Sequence, residues 1–217
     1  MSLVVNEIFY SLQGESSHAG RPCVFIRLTG CNLRCSYCDT KYAYEEGEDM
    51  DVNEIIDRLS AYPCRLVEVT GGEPLIQEDT PVLIQALLAR NYEVLLETNG
   101  SLNIDSVDPG CVRIVDIKCP SSGEEGNNDF ENLMRLTSRD EIKFVIQDRL
   151  DYDYAVNILS QYEKVHSHSG GRPPLFSPVF GRMDPAILAQ WILSDGLPVR
   201  MQLQLHKVIW APDRRGV

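Results

Sequence analysis

No stretch of this 217-residue chain approaches the ~18 consecutive apolar residues that would span a bilayer. The N-terminus also lacks the basic, apolar and small-residue succession of a secretory leader, so a cytoplasmic location is expected. Basic residues are scarce. Only 20 Lys and Arg face 32 Asp and Glu, a net charge of −12, and the one dense basic pair is Arg214 with Arg215. Such a field repels a phosphate backbone unless a local basic patch opposes it, which argues against direct nucleic-acid binding. Neither an internal repeat nor a long linker divides the sequence. With 43% apolar and 24% charged residues, the chain suits one domain over 1–217 with a real hydrophobic core.

Cysteine is present in an odd number, seven, in a chain without an export signal. A disulfide framework is therefore not expected, and metal or redox chemistry is. Three of the cysteines crowd together as Cys31-Asn-Leu-Arg-Cys35-Ser-Tyr-Cys38. A cubane [4Fe–4S] cluster normally takes four thiolates, one per iron, so three leave one iron open to a non-protein ligand. Zinc completed by a distant His or Cys would also accept three thiolates, but no second paired-Cys knuckle exists and an open position is a catalytic feature. Cys23, Cys64, Cys111 and Cys119 stand alone and read as small buried hydrophobes. His166 and His168 form an H-x-H pair in a Gly- and Pro-bearing loop and read as solvent-facing.

Short β-branched runs alternate with amphipathic stretches. Strands are expected at 3–9, 24–29, 66–70, 93–97, 112–118, 142–146 and 199–206, with a short one at 174–176. Helices are expected at 52–61, 80–89, 128–136, 152–161 and 185–193, and loops at 121–128 and 166–174. Asp51 with Glu54 forms a capping-box pattern, and Asp184 precedes Pro185 at a first helical position. Repeated strand–helix–strand units imply a parallel α/β sheet. About six units are too few for an eight-fold barrel, which needs about 250 residues, so a partial, open parallel β/α barrel is expected.

The polar residues gather at strand ends. The cysteines follow the 24–29 strand, Gly71-Gly72-Glu73 the 66–70 strand, and Thr98-Asn99 the 93–97 strand. Lys118, Gln147 and His206 close three more. Parallel α/β folds place their sites at the C-terminal ends of strands. Period-two alternation puts Phe25, Arg27 and Thr29 on one face, and Gln202, Gln204 and His206 on another, so Arg27 and His206 are expected to point into a polar cavity.

Cys31, Cys35 and Cys38, with Tyr37 before the last, match the CxxxCxxC motif and so resemble the radical S-adenosylmethionine (SAM) superfamily. Gly71-Gly72-Glu73-Pro74 resembles its GGE element, and the fold implied is an open barrel of the radical SAM type. Ser11-Leu12-Gln13-Gly14-Glu15, Phe25-Ile26-Arg27, Cys38-Asp39-Thr40, Glu97-Thr98-Asn99-Gly100, Asp116-Ile117-Lys118 and Gln204-Leu205-His206-Lys207 are similar in order and identity to the 7-carboxy-7-deazaguanine synthase family. That resemblance covers about 4–210 and implies a radical SAM lyase of the queuosine and deazapurine pathways. It implies a [4Fe–4S] cluster on Cys31, Cys35 and Cys38, and SAM held by Tyr37, Gly72, Glu73, Lys118, Ser121, Ser122 and Gln147. It further implies a pterin held by Leu12, Gln13, Gly14, Glu15, Arg27, Thr70 and His206, with Mg²⁺ on Thr40. An external donor such as flavodoxin or ferredoxin and a homodimer are also implied. Two other readings remain at this point. One is a glycyl-radical-enzyme activase acting on a protein. The other is a non-catalytic iron–sulfur carrier, its fourth ligand drawn from Cys64, Cys111 or Cys119. Whether residues beyond Trp210 reach the pocket is open.

Overall fold

The computed structural model describes residues 1–169 and 172–217, and for 163–169 the backbone alone. It begins with two long antiparallel strands, β1 (Ser2–Leu12) and β2 (Pro22–Leu28). The short strand β3 (Glu48–Asp51) pairs antiparallel with β1 on its outer side and leads into α1 (Val52–Leu59). The Asp51 carboxylate caps that helix by accepting from the Asn53 and Glu54 amides. Glu54 does not complete the box; it pairs with Arg58 one turn on (2.9 Å). Then follow β4 (Leu66–Gly71), α2 (Thr80–Leu88), β5 (Glu93–Thr98), β6 (Val112–Ile117), α3 (Asn132–Arg135), β7 (Glu141–Ile146) and α4 (Arg149–Ser169). The chain closes with β8 (Leu175–Pro178), α5 (Pro185–Asp195), β9 (Arg200–Met201) and α6 (Leu205–Ile209). Asp184 caps α5 through the Ala186 amide, with Pro185 at the first position.

All strands form one open sheet in the order β3-β1-β2-β4-β5-β6-β7-β8-β9, parallel from β2 to β9. The expected open parallel β/α barrel is therefore present, with an antiparallel edge formed by β1 and β3. The connection from β5 to β6 carries no helix. No helix among the described residues is long and apolar enough to cross a membrane.

Several boundaries differ from the sequence expectation. The last strand stops at Met201, because Gln202 donates to Phe176 O (3.0 Å) and then Leu205 donates to Gly14 O (2.9 Å). The backbone leaves the sheet for the β1–β2 loop, and His206 sits on α6 instead of ending a strand. The helix expected at 128–136 shrinks to α3. Asn128 is pinned to the end of β6, its side chain accepting from Lys118 N (2.8 Å) and donating to Lys118 O (2.9 Å). Helix α4 runs on through Ser169, so the loop expected from residue 166 is helical to that point; residues 170–171, and the side chains of His166 and His168, lie outside the described residues. Two 3₁₀ turns, Pro120–Ser122 and Glu125–Asn127, occupy most of the expected 121–128 loop.

Side-chain alternation along the parallel strands decides where the site lies. Val24, Ile26, Leu28, Val67, Val69, Val94 and Leu96 pack outward against α1 and α2 in one core, and α3, α4 and α5 cover a second around Phe144, Phe176 and Tyr152. The opposite faces line the barrel interior in layers. Cys23, Phe25, Leu66, Leu95, Val112 and Ile114 make an apolar floor. One step up each strand stand Arg27, Glu68, Glu97, Asp116 and Lys143, all bordering one cavity.

Candidate active site

The cavity opens at the C-terminal ends of the strands and holds roughly 240 Å³. Its rim is the loop after β2, which carries Cys31, Cys35 and Cys38, all half-buried and none in a disulfide. The loop is held from several sides. Leu33 N donates to the Cys31 sulfur (3.4 Å), Asn99 Nδ2 approaches the same atom (3.9 Å), and Arg34 N donates to Glu124 (2.6 Å). Ser36, between the second and third cysteines, donates to the backbone oxygens of Ser121 (2.6 Å, from Oγ) and Ser122 (2.9 Å, from N). Arg182 joins Ser36 O (3.3 Å) to Gln147 (3.0 Å). Thus Ser121, Ser122 and Gln147 do not line the cavity; they converge on Ser36 from behind it.

The GGE element is built by the end of β4. A Cβ on Gly72 would lie 2.1 Å from Gly30 O and 2.6 Å from the Cys31 Cβ, so only glycine lets β4 approach the cysteine loop this closely. Glu73 is fully buried and turned away from the cavity. Its carboxylate accepts from Leu75 N (3.0 Å), Asn99 N (2.6 Å) and Thr98 Oγ1 (2.9 Å), and burial still leaves its carboxyl above the usual range.

Every residue expected to meet the pterin borders the cavity: Leu12, Gln13, Gly14, Glu15, Arg27, Thr70 and His206. Arg27 commits its Nε to Glu7 (2.8 Å), its neighbour across β1, and among the described residues its two terminal nitrogens make no hydrogen bond. Thr70 is the register partner of Arg27 on β4. Gly14 permits the close approach of α6, since a Cβ there would meet His206 Nδ1 at 2.2 Å. Burial lowers the His206 pKa and favours the neutral imidazole. Thr40 also borders the cavity, its hydroxyl donating to Asp39 (2.8 Å). Burial works against the Asp39 anion, but the contacting Lys207 ammonium outweighs it and holds the carboxyl down to about 2. Beyond Trp210 the chain folds back: Arg215 lies over the Tyr42 ring (3.8 Å) and Val217 borders the cavity.

Sequence reasoning named Glu15 and Lys118 but assigned no role to Glu68, Glu97, Asp116 or Lys143, which border the same cavity. Lys143 of β7 contacts Glu97 of β5, Glu15 (3.0 Å) and Asp116 of β6 (3.6 Å), while Lys118 contacts Asp116 (2.9 Å). Burial opposes the Lys143 charge, but three carboxylates outweigh it and raise its pKa well above the usual value. Glu15 also accepts from Gln204 (3.0 Å) and Gln202 (3.3 Å), so the β1–β2 loop bridges the open seam of the sheet. The available signal was a charge in the middle or upper half of each mostly apolar strand: Glu68 in LVEVTG, Asp116 in VRIVDI, Lys143 in EIKFVI.

The cysteine set fits an iron–sulfur cluster better than one zinc ion. A cubane needs its thiolates spread, one per iron. Among the described residues no three His, Cys, Asp or Glu side chains converge as a single ion requires, whereas the three thiols ring one cavity. Nor is a fourth thiol at hand: Cys111 and Cys119 are buried elsewhere, and the half-buried Cys64 donates to Pro22 O (3.1 Å) at the other end of the strands.

An open βα sheet whose first parallel strand feeds three free cysteines into a polar cavity defines the radical SAM class, and the radical SAM superfamily model matches residues 25–159. The class implies a [4Fe–4S] cluster, SAM and an external reductant. Two relatives carry the assignment further. The 7-carboxy-7-deazaguanine synthase of Chlorobaculum tepidum is 50% identical over 99% of this chain and 97% of its own length. That of Koribacter versatilis is 45% identical over 98% and 99%. The crystal structure of QueE from Escherichia coli has the same fold (TM-score 0.76, 24% identity, 95% of each chain). The chain belongs to the 7-carboxy-7-deazaguanine synthase family.

Proposed function

We propose that the chain converts 6-carboxy-5,6,7,8-tetrahydropterin to 7-carboxy-7-deazaguanine and ammonia. The observation that carries this reading is the full-length similarity to synthases of that name, joined to a cavity in which Arg27 faces the same space as the three cysteines. When bound, the cluster and SAM supply a 5′-deoxyadenosyl radical able to take hydrogen from carbon. Everything else falls to the chain's own residues. Cys31, Cys35 and Cys38 hold the cluster, and Tyr37, Gly72 and Lys118 meet SAM from the cavity wall. Glu73 braces the end of β4, and Ser121, Ser122 and Gln147 act as positioning residues through Ser36.

Arg27 offers its two terminal nitrogens to the substrate carboxylate, a bidentate pairing suited to a planar guanidinium. Leu12, Gln13, Gly14, Glu15, Thr70 and His206 enclose the pterin. Mg²⁺ suits this site as a shared ion: Thr40 and the ionised Asp39 supply oxygens at the cavity, and substrate and water supply the rest, as Mg²⁺ generally prefers. The active species is a cytoplasmic homodimer reduced by a flavodoxin or ferredoxin.

The test is anaerobic. Reconstituted protein is given SAM, dithionite, Mg²⁺ and the pterin, and products are read by mass spectrometry. Formation of 7-carboxy-7-deazaguanine is expected. Formation of 5′-deoxyadenosine alone would mean that the substrate is different. Repetition without Mg²⁺ and light scattering at micromolar concentration address the metal and the dimer.

A further inference from the structure

Five side-chain carboxylates and three lysines border the cavity, and the lysines are unevenly shared: Lys207 pairs with Asp39. Glu15, Glu97 and Asp116 each contact an ammonium. Glu68, at the centre of β4, belongs to no ion pair among the described residues, and its one hydrogen bond there comes from the Gln13 amide. It is 2% exposed. A buried carboxylate without a cation costs too much to ionise and keeps its proton instead. Burial, then the nearby Glu97 and Glu15 charges, hold the Glu68 carboxyl well above the usual range, against the weaker pull of Lys143 and Gln13. Its register neighbour on β2 is Phe25, two residues before Arg27, and Thr70 lies two residues ahead on its own strand.

Seven neighbouring titratable groups of the cavity are poorer proton sources. Carboxylates hold the Lys143 and Lys118 protons firmly despite burial. Burial leaves His206 neutral and Tyr37 a weaker acid than usual. Glu15 and Asp39 are held as anions by lysines despite burial. Burial raises Glu97, but Lys143 contacts it directly.

The substrate and product of the proposed reaction differ by NH₃ alone, so the closing step consumes no oxidant. A C–N bond breaks and its electron pair leaves with nitrogen, which takes up a proton. A carbon of the contracted ring releases a proton, and the freed pair becomes the new C=C bond. We propose that Glu68 is the proton donor of this step, giving its proton to the departing nitrogen and recovering one from the ring. This assignment rests on the substrate reading above.

The test uses the reconstituted holoenzyme as wild type, E68Q and E68D, with substrate deuterated at C6. Deuterium entering 5′-deoxyadenosine reports the radical step; ammonia and 7-carboxy-7-deazaguanine report the last. In E68Q, ammonia and product should fall by about 100-fold or more, the lower end of a lost general acid, while deuterium transfer persists. E68D, which withdraws the acid by one methylene, should fall between. Unchanged product in E68Q, or parallel loss of deuterium transfer and product in either variant, would overturn the proposal. Absence of deuterium transfer in the wild type would overturn the substrate reading, and the proposal with it. Infrared spectroscopy of the metal-free protein adds an activity-independent readout. One neutral-carboxyl C=O band present at neutral pH should be lost in E68Q, and a spectrum unchanged from wild type would count against the assignment.

Discussion

Arg27 and Glu68 sit on the adjacent strands β2 and β4, and burial treats them differently because Arg27 has a carboxylate partner and Glu68 has no cation. Arg27 keeps Glu7 at 2.8 Å and has two nitrogens to spare. Removing one partner of a buried charge pair costs about 2–5 kcal/mol, so Arg27→Ala should lower kcat/KM by about 30-fold or more while iron and sulfide per chain stay at the wild-type level. Equal loss of both would make Arg27 structural. Glu68 provides a second, thermodynamic prediction. Its folded pKa lies above the ordinary 4.5, so the folded state binds the proton more tightly than the unfolded chain. The stability this contributes is complete below the unfolded value and is lost as pH rises toward the folded one. E68Q has no such proton to lose. Its melting temperature relative to wild type should therefore climb as pH rises above about 5, whereas a pH-independent difference would mean that Glu68 is already ionised.

At the scale of elements, the site is an encounter between the ends of β2 and β4. Gly72 N donates to Leu28 O (3.3 Å) and Glu73 N to Gly30 O (2.8 Å), so the GGE turn is clamped directly under the cysteine loop. Gly72→Ala would place a methyl against the Gly30 carbonyl and the Cys31 Cβ. It should leave the far-UV circular dichroism intact but sharply reduce the iron bound after reconstitution. Full iron with lost SAM-dependent spectral change would place the damage on the SAM side instead. Strand and helix positions were largely legible from period and caps, as Asp51 and Asp184 show. The failures fell where side chains or loops captured the backbone. Asn128 shortened α3 by binding the end of β6, and Gly14 took the Leu205 amide that a longer β9 would have used.

Across the whole molecule, an open sheet needs something to close its lower end, and the β1–β2 loop does so. Ser17 donates to Glu141 at the start of β7 through both N (2.9 Å) and Oγ (2.5 Å), and Arg172 contacts the same fully buried carboxylate. His18 and Arg21 extend the network to Glu93 at the start of β5. Arg172→Ala would leave Glu141 a buried charge without its cation, at about 3–5 kcal/mol. At about 2–4 °C per kcal/mol for a chain of this size, the melting temperature should drop by at least about 6 °C, with bound iron little changed. A shift within about 2 °C would show that the serine contacts suffice.

The sequence by itself determined the three-cysteine motif, the alternation that makes a parallel sheet, and the strand ends at which Arg27, Gly72 and Lys118 stand. These are local properties: spacing within a loop, periodicity within a strand, a glycine before a turn. Only the tertiary structure decided that single charges on β4, β5, β6 and β7 meet in one cavity, and that Lys143 serves three carboxylates and leaves Glu68 alone. It alone turned Ser121, Ser122 and Gln147 toward Ser36 and brought Val217 back to the pocket. The reason is that a charge inside a strand carries no mark of its partners. Whether it is paired depends on which side chains share its layer of the barrel, and that is fixed by strand order and register across the sheet.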